Sequence, residues 1–118
     1  MVVEEQSGHE LMPQPTRIVL PATARKGEVF QVKTIIQHEM ESGFRRNDRG
    51  LAIPRHIITS FVVTYAGAEI FRADVFPGVA ANPYFAFTTT ATETGEVVFT
   101  WTDDRGDVTT ERRTLTVT

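Results

Sequence analysis

With 118 residues, 41% of them hydrophobic and including eight Phe and one Trp, the chain can bury one core but is short for two domains, and 23% charged residues exclude wholesale disorder. The net charge of −3 divides unevenly: residues 1–16 carry Glu4, Glu5 and Glu10 with no Lys or Arg, and the remainder balances twelve acids against twelve bases. A neutral body excludes general electrostatic capture of nucleic acid or of an anionic membrane, and the complete absence of Cys excludes disulfides, thiolate chemistry and Cys-ligated metal.

In chain order, residues 1–16 combine acids, Pro13 and Pro15 and read as a flexible extension, so the domain is expected to span 17–118. "MVVEEQSGHELMPQP" has neither the basic nor the apolar region of an export signal, and no run reaches the length that spans a bilayer. "RIVLP" reads as a short strand. "EVFQVKTIIQHEM" alternates with period two, placing Phe30, Val32, Thr34, Ile36, His38 and Met40 on one face, and Lys33, Gln37 and Glu39 on the other.

After the loop "ESGFRRNDRGLAIPRH", the stretch "IITSFVVTYAGAEIFRADV" reads as two β-branched and aromatic strands joined at Gly67. "FPGVAANP" is a loop and "YFAFTTTA" a strand. "GEVVFTWT" sets Val97, Phe99 and Trp101 on one face, "DDRGD" has turn chemistry, and "VTTERRTLTV" closes the chain with Leu115 and Val117 inward. About seven short strands without a helical window define an all-β fold, an immunoglobulin-like antiparallel sandwich.

Few residues suggest chemistry. His38 and Met40 stand two apart on a strand, as a soft-metal site requires, but they also continue the inward face begun at Phe30, and neither His9 nor His56 adds a ligand by local spacing. The reading adopted is packing, with no metal ligand; a metal-binding sandwich built on His38 and Met40 is the competing one. Glu39 with Glu41 and Asp103 with Asp104 are paired carboxylates, placed at strand ends or in a turn where water is expected to keep their pKa values ordinary. "RGD" at Arg105–Asp107 is accounted for by that turn. No phosphate loop, nucleophile elbow or cofactor motif is found, so no catalytic residue and no cofactor are assigned.

Two loops look built for a partner. Arg45, Arg46, Arg49 and Arg55, with Phe44 beside them, form a basic cluster in the longest loop. Phe76, Val79, Asn82, Pro83 and Tyr84 form an apolar loop that a sheet ladder cannot cover. Phe44, Arg45, Arg46, Arg49, Phe76, Val79, Asn82, Pro83 and Tyr84 are therefore the partner-binding candidates.

Four ordered segments, "RIVLPATARKGEVFQVKTIIQHEMESGFRRND", "IPRHIITSF", "ANPYFAF" and "FTWTDDRGD", resemble the SoxZ family, a subunit of the SoxYZ sulfur-carrier complex of thiosulfate oxidation; the likeness covers about residues 17–118. The resemblance implies a non-catalytic, immunoglobulin-like subunit that pairs with a SoxY-like protein. In that family SoxY bears the Cys on a flexible arm to which sulfur intermediates are attached, while periplasmic enzymes visit the complex transiently. A Cys-free subunit suits that division, because a second thiol beside a loaded one would compete by disulfide exchange. The resemblance also implies a periplasmic heterodimer whose export signal lies on the partner.

Overall fold

The computed structural model describes residues 15–118. The acidic segment singled out above lies, up to residue 14, outside the described residues. Eight strands follow in order: β1 Thr16–Val19, β2 Thr23–Ala24, β3 Val29–Ile36, β4 Ile58–Tyr65, β5 Ala68–Asp74, β6 Tyr84–Thr90, β7 Gly95–Asp103 and β8 Val108–Val117. They form a three-stranded sheet, β1-β3-β6, and a five-stranded sheet, β2-β8-β7-β4-β5. All pairings are antiparallel except the two-residue contact of β2 with β8. The expected sandwich is present, with one more strand than expected because Thr23–Ala24 attaches to the edge of β8.

Period-two patterning explains why these segments are strands and which face each buries. Phe30, Val32, Thr34 and Ile36 of β3 are buried while Val29, Gln31 and Lys33 are exposed, and Val97, Phe99 and Trp101 of β7 alternate with half-buried neighbours. A one-residue slip would turn every one of these side chains to the wrong face, so burial fixes the register.

The two sheets are joined by stacked rings. Phe61 of β4 lies 4.8 Å from the Trp101 ring and 5.2 Å from that of Phe85 on β6, in the opposite sheet. Phe71 of β5 stacks on Phe87 of β6 at 4.5 Å. Tyr65 pins the far end: its hydroxyl donates to the Glu93 carbonyl and accepts from the backbone N–H groups of Thr92 and Glu93.

The β4–β5 hairpin closes through Ala66 and Gly67, with φ of 50° and 84°, between the paired residues Tyr65 and Ala68. Two positive φ values in a two-residue loop match the right-handed twist of the flanking strands. A Cβ at Gly67 would meet nothing within 4 Å, so its conformation alone makes glycine the favoured residue. Gly67→Ala is expected to cost about 1 kcal/mol, from left-handed backbone strain partly offset by a less flexible unfolded chain. Chemical denaturation checks this, and an unchanged midpoint would show that the turn absorbs a side chain freely.

Candidate functional site

At one end of the sandwich, three segments converge on His38. Regular pairing of β3 stops at Ile36, yet inward alternation continues, so His38 and Met40 stay buried beyond the strand. Asn82 braces the segment from the β5–β6 loop: its N–H donates to the His38 carbonyl at 2.7 Å, and its Oδ1 accepts from the His38 N–H at 2.9 Å. Met40 adopts a left-handed φ of 54°, which turns its N–H back onto Nδ1 of His38 at 3.0 Å. The Met40 sulfur accepts from the Ile58 N–H at 3.2 Å. That sulfur is thus committed to the backbone of β4, which removes the ground for pairing His38 with Met40 as metal ligands.

His56 and Asp103 arrive from distant parts of the chain. An isolated bridge binds His56 to Glu41 through two backbone hydrogen bonds of 2.8 Å, and this sets the imidazole beside that of His38, with ring centroids 4.5 Å apart and planes at 66°. Asp103, the last residue of β7, points one carboxylate oxygen into its own turn, where Oδ1 accepts from the N–H groups of Arg105 and Asp107 at 2.9 Å each. Its Oδ2 sits 2.9 Å from Nε2 of His56 and 4.0 Å from Nε2 of His38. The neighbouring Asp104 ties the entry to β4 down: its carboxylate accepts from the Ile57 N–H and from the guanidinium of Arg55.

These contacts decide where the protons are. Nδ1 of His38 accepts from Met40, so a neutral His38 carries its proton on Nε2, and that buried N–H has no hydrogen-bond partner among the described residues. Burial and the adjacent His56 depress the His38 pKa against the opposing pull of Asp103, so the ring is held neutral. Burial tends to raise the Asp103 pKa, but hydrogen bonds from His56 and from the N–H groups of Asp107 and Arg105 outweigh it, and the carboxyl is held below its ordinary range. Its environment is not the water-dominated turn expected from the sequence. His38 and His56 share the wall of a cavity of about 710 Å³ whose rim includes Gln37, Glu39, Asn82 and Arg105.

The partner-binding candidates fare differently. Phe44, Phe76, Val79 and Tyr84 are exposed, as a contact surface requires. Pro83 is buried, with its carbonyl accepting from the Ile36 N–H, whereas Asn82 is exposed, with its amide oxygen engaged by the His38 N–H. Arg45 forms a two-pronged ion pair with Glu41, at 2.6 and 3.1 Å, and these hydrogen bonds lower the pKa of Glu41, which is buried rather than free at a strand end. Arg46 donates to the Gly50 carbonyl, while the Asn47 side chain accepts from the N–H groups of Arg49 and Leu51. The basic loop is therefore a folded turn that holds its arginines on the outside. His56 and Asp103 were missed as partners of His38 because 18 and 65 residues separate them from it; only "IPRH", just before β4, and "DDRGD", at the close of β7, which the pairing of Ile58 with Asp103 sets at the same end of the sheet, hinted that both approach one point.

The architecture is that of an immunoglobulin-like β-sandwich carrying a polar cluster and two exposed loops at one end. The protein-family model described as "Sulphur oxidation protein SoxZ" matches residues 17–114, and the chain belongs to that family. Among solved structures, the sulfur carrier protein SoxY from Chlorobium limicola f thiosulfatophilum is 15% identical, with 87% of this chain and 78% of that one covered and a TM-score of 0.63. A superoxide reductase (neelaredoxin) from Ignicoccus hospitalis is 18% identical over 89% of this chain and 81% of its own, with a TM-score of 0.70. A putative superoxide reductase from Thermotoga maritima is 12% identical over 97% and 93%, with a TM-score of 0.69. At such identities these likenesses establish the shared sandwich alone. Curated protein sequences give no match.

Proposed function

We propose that this chain is the non-catalytic half of a periplasmic SoxYZ sulfur-carrier complex, paired with a SoxY-like protein whose C-terminal Cys holds the sulfur intermediates. Membership of the SoxZ family over residues 17–114 carries the reading. Two further observations support it. The chain has no Cys, so it cannot itself carry sulfur as a thiol adduct. Phe76, Val79, Tyr84 and Phe44 leave apolar surface exposed around the end that gathers His38, which suits a stable partner with visiting sulfur-oxidation enzymes beyond it. Export together with the partner and a heterodimeric state are parts of the same proposal.

Co-expression with a SoxY-like protein tests it. The pair is expected to co-purify with a total buried area above about 1,000 Å², and mass spectrometry after loading is expected to place the sulfur adduct on the partner's Cys. A monomer that ignores such a partner, or sulfur-compound turnover by this chain alone, would overturn the proposal.

A further inference from the structure

We propose that His38, His56 and Asp103 form a binding site for a borderline divalent transition ion, with zinc as the type case. One donor atom from each residue lies within 4.8 Å of the other two. A tetrahedral site with bonds of about 2.0–2.1 Å sets neighbouring donors roughly 3.3–3.4 Å apart. The contacts of Asp103 Oδ2 straddle that spacing: 2.9 Å to His56, the length of a hydrogen bond, and 4.0 Å to His38, too long for one. Small opposed shifts of the two rings bring both to ligating distance around one ion.

The second observation is the Nε2 of His38. The His38 side chain is only 2% exposed, and its Nε2 faces the Asp103 carboxylate with no hydrogen-bond partner among the described residues. A buried imidazole N–H without an acceptor is unfavourable, and a carboxylate at 4.0 Å relieves it only weakly. An ion between the two satisfies both. Each ring stays neutral as it binds, its proton moving from Nε2 to Nδ1. For His38 this sets an Nδ1–H donor against the Met40 N–H, so the Met40 peptide must turn aside and lose its acceptor, a loss on the order of a hundredfold in affinity set against the gain of the metal–ligand bonds.

The surroundings hold the ligands in place as outer hydrogen bonds do around metal sites. The other oxygen of Asp103 is fixed by two backbone N–H groups, the backbone of His56 by Glu41, and that of His38 by Asn82. Two imidazoles and one carboxylate suit zinc and its neighbours better than the all-oxygen sites of calcium or magnesium. Because His38 and His56 also line the cavity, a water or other small ligand reaching the ion from it can take the fourth position.

Zinc(II) calorimetry and cobalt(II) absorption on the full chain, alone and in complex with its partner, test the site. The expected result is one equivalent bound at micromolar affinity or tighter, with visible cobalt bands of low-symmetry four-coordination. His56→Gln and Asp103→Asn are expected to weaken binding by at least about a hundredfold, and Met40→Leu to leave it within a few-fold. Melting curves of each variant establish that it is folded, and His56→Gln keeps a side chain of comparable reach should the Asp103 change unfold the turn. Wild-type protein that binds no stoichiometric ion, or binding undiminished in both ligand variants, overturns the site. Neither result bears on pairing with the Cys-bearing partner, which co-purification reports separately.

Discussion

Replacing Phe61 with Ala is expected to lower the free energy of unfolding by about 3–5 kcal/mol. Phe61 is fully buried and stacks between Trp101, its neighbour within the larger sheet, and Phe85 of the smaller one, with Phe71 edge-on at 5.9 Å. Truncation therefore removes apolar burial and opens a cavity bounded by rigid rings, which cannot collapse to fill it. Domains of this size have about 5–15 kcal/mol in total, so the change takes roughly a fifth or more of the margin. Urea denaturation followed by Trp101 fluorescence measures it, with the slope of the transition expected to stay constant. A loss below about 1 kcal/mol would mean that the sheets are held together elsewhere.

The second large effect is expected at the partner surface rather than in the fold. In the complex with a SoxY-like protein, Phe76→Ala and Tyr84→Ala are each expected to speed dissociation about thirtyfold, the consequence of losing roughly 2 kcal/mol at an aromatic anchor. Both side chains are more than half exposed in the single chain, so melting temperatures should hardly move. Arg46→Ala makes the contrast, since a rim charge acts mainly on association rate and its salt dependence. Dissociation rates unchanged in both aromatic variants, with unchanged salt dependence for Arg46→Ala, would show that these loops only connect strands.

The sequence by itself determined the class of fold, the faces of its strands and the family. Period-two alternation is a local property, set by the geometry of an extended backbone, so Phe30 to Ile36 and Val97 to Trp101 could be oriented without knowing what they pack against. The hairpin at Gly67 was legible for the same reason, because a two-residue turn is decided by the residues inside it. The inward course of His38 and Met40 was legible too, although neither lies within a strand.

Only the tertiary structure decided what His38 faces. His56 reaches it through a single bridge to Glu41, and Asp103 through the register of β4 with β7, contacts that depend on long-range pairing and leave no trace in local spacing. Long-range contacts likewise place Asp103, Glu41 and Pro83 among buried residues, although they look like surface residues when read along the chain. Burial, and with it the ionisation of a carboxylate or the accessibility of a loop residue, is a property of the packed ensemble of segments and not of any one of them. The cluster could therefore be recognised only once the ends of three strands had been brought to the same edge of the sandwich.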